Sequence, residues 1–569
     1  MRKEAPLRLV HPKPTTGVLL EVRNLQTHFP TRSGLVKAVD GVSFSLERGK
    51  TLCIVGESGS GKSVTARSIL QIVDAPGRIT GGEMIWHRSD GTTVDLAKLD
   101  PRSKDIRQIR GRDIAMIFQE PMSSLSPIHT VGNQIIEVLR LHLGMSKAEA
   151  RERCIELLRQ VEIPRPEQAI DRYTFEFSGG MRQRVMIAMS LACDPLLLIA
   201  DEPTTALDVT TQAEIIDLIR RLQKEKGMAV MFITHDMGVV AEIADEVLVM
   251  YHGKVMESGP VDQIFHAPQD DYTRMLIGSV LKLEQKAEIR LKRPPLPENL
   301  LPVLEVTNLS MQFAGVKAVD NVSLFLKPGE TLGVVGESGS GKTTVGRCLL
   351  RVYNPTSGSA IYRRADGTTV DLVTANKAQL KECRREIRMI FQDPISSLNP
   401  RMTVAQVIAE PMLVNGIATG KELDDRVAHL MEQVGLNPDW RERYPHAFSG
   451  GQRQRIGVAR AISLNPRIIV ADEATSALDV SIRAQVLDLM MELQDRLGLS
   501  YIFISHDIGV IRYMCDRVAV MYRGKLVEMG PAEQVCTNPT HSYTQALLSA
   551  IPRPDPRNRS IHQRMRYTG

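Results

Sequence analysis

The stretches CIVGESGSGKSVTARSIL at 53–70 and GVVGESGSGKTTVGRCLL at 333–350 decide the fold. Each runs from a β-branched apolar segment through glycines into a helix-compatible stretch, the strand, loop and helix context that a GxxxxGK[ST] phosphate loop requires. Glycines at Gly56, Gly59 and Gly61, and again at Gly336, Gly339 and Gly341, let consecutive backbone N–H groups turn inward on an anion. Glu57, Ser58 and Ser60, with Glu337, Ser338 and Ser340, supply the remaining loop backbone, and the following helix adds its N-terminal partial positive charge. Lys62 and Lys342 are placed to reach the β and γ phosphates, and the hydroxyls of Ser63 and Thr343 to ligand Mg²⁺.

Working outward, the surroundings of the loops repeat as well. LLEVRNLQTHF at 19–29 returns as VLEVTNLSMQF at 303–313, FSGGMRQR at 177–184 as FSGGQRQR at 448–455, and IADEPTTALDV at 199–209 as VADEATSALDV at 470–480. A repeat this long means two whole domains rather than a solenoid. The offset is 280 at the loops, 273 at Gln119 and Gln392, and 271 at every later motif. Length variation is thus confined to the region between loop and SGG, which is expected to be surface insertion or a separate lobe on a rigid core.

The 569 residues suit several domains, and each copy of the repeat is long enough to bury its own core. With 71 basic and 66 acidic residues the net charge of +5 gives no licence for nucleic-acid binding. No apolar run reaches a membrane-spanning length, and MRKEAPLRLVHPKPTT lacks the apolar region of a signal peptide, so a soluble, unexported chain is expected. Seven scattered cysteines without a CxxC pair read as buried free thiols in a reducing compartment. The expected domains are 1–280 and 303–569, joined by a proline-rich, charged and exposed linker at 281–302, with a frayed basic tail at the C-terminus.

Two further constellations recur in step. LLLIADE and RIIVADE read as buried strands ending in adjacent acids, at the edge where a ligand crevice opens in a doubly wound sheet. Asp201 and Asp472 suit Mg²⁺ held through water, and Glu202 and Glu473 suit polarisation of an attacking water. VMFITHD and YIFISHD end in His235 and His506, each 34 residues after its aspartate, which favours contact with a γ-phosphate. A lone acidic turn or strand-end histidine is ordinarily structural. Their joint recurrence with the loops argues otherwise.

SGG(Q)RQR about twenty residues before a DE pair resembles the signature of the ATP-binding-cassette superfamily. Ser178, Gly179 and Gly180 match it in the first copy, where Met181 departs from the usual glutamine and reads as subfamily character, and Ser449, Gly450, Gly451 and Gln452 match it in the second. The resemblance implies an α/β fold of two tandem P-loop NTPase domains, each with a RecA-like core, an antiparallel β subdomain and an α-helical subdomain. It implies that each signature closes over the nucleotide held by the other domain. Gln119 and Gln392 would then join the Mg²⁺ and catalytic water shell, Phe29 and Phe313 would stack on adenine, and Asp208 and Asp479 would lie between the two sites. With both glutamates and both histidines retained, hydrolysis is expected at both sites.

SGGMRQRVMIA, FSGGQRQRI and the matching tails at 266–280 and 538–554, with Tyr272 and Tyr543 in register, resemble the dipeptide and oligopeptide importer branch. This second resemblance implies an ATP- and Mg²⁺-dependent ATPase, the fused motor of a bacterial importer for peptides, glutathione included. It would sit at the cytoplasmic face of the inner membrane with two permeases and a solute-binding protein, EPMSSLSP and DPISSLNP lying near the permease contact. The rival reading is a soluble tandem cassette acting on ribosomes or nucleic acid. The short proline-rich linker and the importer-type tails speak against it.

Overall fold

A computed structural model describes residues 17–31, 34–120, 124–205, 207–283, 290, 297, 299–476, 478–559, 564, 565 and 567. Contacts divide the chain into two compact units. The first comprises residues up to Leu207, Thr211–Ile277 and a segment beginning at Pro552; the second takes Asp208–Thr210, Gly278–Ile551 and the residues from Gln563.

In the first unit the phosphate-loop strand Thr51–Val55 is buried throughout, as a strand covered on both faces must be. It lies between Ala229–Ile233 and Glu246–Tyr251, parallel to both, in a six-stranded sheet completed by Leu197–Asp201, Ile114–Ile117 and the antiparallel edge Lys254–Pro260. Register places Asp201 opposite Ile233 and Val55 opposite Val249, so the acidic strand and the loop strand end at one edge. A second sheet of four antiparallel strands, Gly34–Glu47, Val18–Thr31, Arg78–His87 and Thr93–Asp95, packs its apolar residues with the first into one core. Trp86, opposite Leu20, is fully buried there.

The second unit repeats this plan. Thr331–Val335 lies between Ser500–Ile504 and Arg517–Tyr522, and Ile468–Asp472 and Ile387–Ile390 extend the sheet. Tyr362, opposite Leu304, takes the position of Trp86 and donates its hydroxyl hydrogen to Glu386 at 2.6 Å. An aromatic of this size brings about 150–250 Å² of surface out of water and pins its sheet to the core.

Most of the length difference, the drift from 280 to 273, falls before Gln119 and Gln392, where the strands Arg78–His87 and Thr93–Asp95 lie in the first unit; the stretch from there to the signature forms a helical lobe in each unit. Val131–Leu143 and Lys147–Gln160 pack together in the first unit, with the signature helix Gly179–Ser190 against both; Val404–Val414, Gly420–Gln433 and Gly450–Ile462 do the same in the second. Caps fix their starts: Ser146 accepts from the Glu149 N–H at 3.3 Å while the Glu149 carboxylate accepts from the Ser146 N–H at 2.9 Å.

Two stretches differ from expectation in part, although Leu281, Lys282, Pro297, Asn299 and Leu301 are exposed. Within 281–302, read as an exposed spacer, the helix Asp271–Leu283 continues to Leu283, which is 7% exposed in the second unit's core. Arg290 is 5% exposed and donates to Gln494 Oε1 at 2.6 Å and to Thr331 Oγ1. An arginine with buried oxygen partners docks instead of floating. Residues 284–289, 291–296 and 298 of that stretch lie outside the described residues. The tail read as frayed is tied to the first unit, where Arg557 forks onto Asp262 at 2.7 and 2.8 Å and Arg559 donates to the Ala244 carbonyl at 2.7 Å. All seven cysteines are free, and all but Cys536 are buried.

Candidate functional site

The phosphate loop of the first unit runs from the buried strand Thr51–Val55 to the helix Lys62–Ile69. Lys62, 5% exposed, folds back so that Nζ donates to the carbonyls of Gly56 at 2.7 Å and Glu57 at 2.8 Å. Lys342 does the same to Gly336 and Glu337, both at 2.8 Å. Burial pulls the Lys342 ammonium below its ordinary range, against the opposing pull of Glu473 and Asp472. A desolvated cation within its own ring of carbonyls is poised to exchange those acceptors for phosphate oxygens.

Next along each helix, Ser63 Oγ donates to Asp201 Oδ1 at 2.8 Å, and Thr343 Oγ1 to Asp472 Oδ1 at 2.8 Å. These contacts join residues 138 and 129 positions apart in the sequence. Burial raises both aspartates above the usual carboxylate range, with the hydroxyl hydrogen bonds opposing it. A hydroxyl beside a carboxylate is the hard-oxygen donor set that Mg²⁺ takes when it keeps water and phosphate as its other ligands. Among the described residues no group of three or more His, Cys, Asp and Glu forms an all-protein metal cage, and that donor set needs none.

Each neighbouring glutamate is turned out of the strand by a left-handed backbone, with φ of 44° at Glu202 and 47° at Glu473. A non-glycine residue held there costs on the order of 1–3 kcal/mol, and such strain clusters at working sites. The Glu202 carboxylate accepts from Gln119 Nε2 at 2.9 Å and Thr205 Oγ1 at 2.9 Å, and His235 Nδ1 lies 3.4 Å from its other oxygen. Glu473 has Gln392 Nε2 at 2.7 Å and His506 Nδ1 at 3.2 Å. Burial pushes Glu202 up, but the hydrogen bonds of His235 and Thr205 and the charges of His235 and Lys62 outweigh it and hold it at about 2. Glu473 is lowered through the same balance, and Glu473 raises His506 against the effect of burial. Each unit therefore gathers its lysine, hydroxyl, aspartate, glutamate, glutamine and histidine at one sheet edge. Thr205 is a partner of Glu202 that no motif singled out; its counterpart Ser476 bonds the Glu473 carbonyl instead, at 3.0 Å.

The signature serines begin their helices. Ser178 Oγ accepts from the Met181 N–H at 3.4 Å, and Ser449 Oγ from the Gln452 N–H at 3.3 Å. Only Gln452 returns the bond, its Oε1 accepting from the Ser449 N–H at 3.0 Å, because methionine at 181 offers no such acceptor. Gly179, Gly180, Gly450 and Gly451 form the first turns. Phe29 lies near the end of its strand, packed against Gly77, while Phe313 is 39% exposed and meets Tyr353 edge-on with centroids 5.0 Å apart. Asp208 and Asp479 stand immediately before the helices Val209–Lys226 and Val480–Leu497. Residues 121–123, within the EPMSSLSP stretch, lie outside the described residues.

A further contact comes from the importer-type tails. Tyr272 Oη accepts from the Glu57 N–H at 3.2 Å, and Tyr543 Oη from the Glu337 N–H at 3.1 Å. The register of the two tyrosines at offset 271 was a legible signal, but their target was not.

Two such constellations in one chain define a tandem P-loop nucleotide-binding protein. The model of the family described as ABC transporter matches residues 39–205 and 319–476, and that described as "Oligopeptide/dipeptide transporter, C-terminal region" matches 256–302 and 527–567. Glutathione import ATP-binding protein GsiA of Escherichia coli (strain K12) is 49% identical over 95% of this chain and 90% of its own length. The protein of the same name from Shigella boydii serotype 4 (strain Sb227) matches to the same extent. Among solved structures, cbiO1 from Clostridium perfringens, part of the ABC transporter complex cbiONQ, is 26% identical, with 42% of this chain and 91% of that chain covered and a TM-score of 0.38. The chain belongs to the ABC transporter family of ATP-binding, ATP-hydrolysing subunits, in the branch that carries the oligopeptide/dipeptide C-terminal region after each of two cassettes. Among the described residues no helix is long and apolar enough to cross a membrane.

Proposed function

We propose that this chain is the fused motor of an importer for peptides of the glutathione and oligopeptide class, with ATP hydrolysed at two sites. The observation that carries the reading is the completeness of both constellations: neither unit has lost its lysine, hydroxyl, aspartate, glutamate or histidine, and each is followed by an importer-type segment. The names of the relatives, glutathione import ATP-binding proteins, support the choice of solute class.

In this reading residues 56–63 and 336–343 wrap the phosphates, and Lys62 and Lys342 leave their carbonyls for the β and γ oxygens. Ser63 with Asp201, and Thr343 with Asp472, would hold Mg²⁺, which would supply positive charge against the triphosphate, with Gln119 and Gln392 as further oxygen donors to it. Glu202 and Glu473, kept ionised, accept the proton-bearing side of the attacking water, while His235 and His506 steady the γ-phosphate. Phe29 and Phe313 stack on the base. The signatures, Ser178 to Met181 and Ser449 to Gln452, would offer helix-start N–H groups and a serine hydroxyl to nucleotide phosphate, with Asp208 and Asp479 as further nucleotide-site residues. Fusion keeps the second cassette at an effective concentration of about millimolar. The partners are two permeases and a solute-binding protein, and the chain works at the cytoplasmic face of the inner membrane.

Affinity capture of the tagged chain in mild detergent tests this. Two polytopic permeases are the expected companions. Recovery of ribosomal or nucleic-acid-processing proteins without permeases would reject the transport reading.

A further inference from the structure

We propose that Tyr272 and Tyr543, in the C-terminal segments, are positioning residues of the phosphate loops: their hydroxyls hold each loop in the conformation that receives nucleotide. This rests on the reading of 56–63 and 336–343 as the ATP sites.

The loop residue after the first glycine is gripped on both sides. The Glu57 N–H donates to Tyr272 Oη at 3.2 Å, and its carbonyl accepts from Lys62 Nζ at 2.8 Å. Glu337 is held in the same way, by Tyr543 at 3.1 Å and Lys342 at 2.8 Å. The two grips differ in what nucleotide does to them. A phosphate draws the lysine away from its carbonyls, whereas the tyrosine oxygen lies on an N–H that remains available to it. The tyrosine tie is the one that persists through binding.

The tyrosine is itself fixed. Its ring packs on Tyr251 in the first unit, with centroids 4.4 Å apart, and on Tyr522 in the second, at 4.3 Å; each partner closes the strand beside the loop strand. The turn before it is anchored by a carboxylate on the edge strand. Glu257 accepts from the N–H groups of Gln269 at 2.8 Å and Asp270 at 3.1 Å, and Glu528 from those of Thr540 at 2.7 Å and His541 at 3.2 Å. A rigid path thus runs from edge strand to turn to tyrosine to phosphate loop. It is built twice, from residues 215 and 206 positions downstream of the loop they serve.

A site populated in its competent form for only a fraction of the time binds more weakly by that fraction. Losing one net hydrogen bond from the loop should raise the dissociation constant for MgATP about 3- to 10-fold. Turnover at saturation should hardly change, because the hydroxyl touches no reacting atom.

The test uses the full chain with Y272F, Y543F and both together, substitutions that keep the ring packing and remove only the oxygen. Binding is read by titration with MgATP and turnover by phosphate release, beside the melting temperature of the nucleotide-free protein. The expected result is a several-fold rise in Kd and KM in the double variant, with kcat within about two-fold of wild type, and each single variant weakening one class of site. Kd and KM within about 1.5-fold of wild type in the double variant, whatever its melting temperature, would overturn the proposal, since a merely structural tyrosine lowers stability without moving them. K62A/K342A measured alongside keeps the two readings apart: undiminished MgATP binding there would strike at the site assignment itself.

Discussion

Replacing Gly56 and Gly336 together by alanine should stop ATP turnover while leaving the chain folded. Both glycines have φ in the range that side chains avoid, 145° and 147°. A Cβ at Gly56 would stand 2.1 Å from the carbonyl oxygen of Met250, and one at Gly336 the same distance from that of Met521. Ordinary contact begins at 3.4 Å, so loop and strand must part by about 1.3 Å. Met250 and Met521 belong to buried strands paired on both sides, so the loop is the element that yields. A displacement of that order in a positioned phosphate group costs about 10²-fold in rate. Phosphate release at saturating MgATP measures it, with thermal melting as the control for folding. A double variant that keeps more than about a third of wild-type turnover would refute the claim that close approach of loop to strand sets the site.

Three other outcomes rest on particular contacts. E202Q with E473Q should retain MgATP binding but lose at least about 10²-fold in turnover, since only the water-polarising carboxylates are removed; a titration beside the turnover assay separates the two. Met181→Gln should add the missing half of the signature cap, worth about 0.5 kcal/mol, and raise the first unit's melting temperature by roughly 1–2 °C in calorimetry. Glu528 is held below its ordinary range: burial pushes it up, but the hydrogen bonds from the Thr540 hydroxyl and the N–H groups of Thr540 and His541 pull it down. Its stabilisation is therefore complete above the unfolded value of 4.5 and is lost as pH falls through the lower folded value. In E528Q, melting curves at neutral pH should shift down, and the part of the acid-side decline owed to this group should disappear. An unchanged acid slope would count against the assignment.

The parts of the site that are contiguous in sequence were legible: two loops, two acidic strand ends and two histidines recur at fixed offsets, and the sheet edge that gathers them is the consequence of buried strands. The features that stayed hidden depend on backbone angles or on contacts far apart in the chain. The left-handed turn at Glu202 and its Thr205 partner leave no periodic trace, and Gln119, whose amide reaches that carboxylate across 83 residues, is placed at the site only through the family resemblance. Tyr272 and Tyr543 showed as a shared register, but a hydrogen bond to a backbone N–H more than two hundred residues away has no sequence signature. Composition missed two anchors within 281–302: proline and charge read as an exposed spacer, and Leu281, Pro297 and Leu301 are exposed, but Leu283 is buried and Arg290 finds buried oxygens on Thr331 and Gln494. The same holds for the basic tail, whose Arg557 pairs with Asp262.

If ATP hydrolysis in this chain drives uptake of small peptides through partner permeases, the deciding experiment is transport itself. Labelled glutathione and a labelled oligopeptide are offered to vesicles carrying the purified complex with its binding protein, with and without ATP. Uptake of at least one of them that requires ATP and vanishes with E202Q/E473Q is the expected result. Vigorous ATP hydrolysis by the assembled complex with uptake of neither peptide would contradict a peptide-importing role.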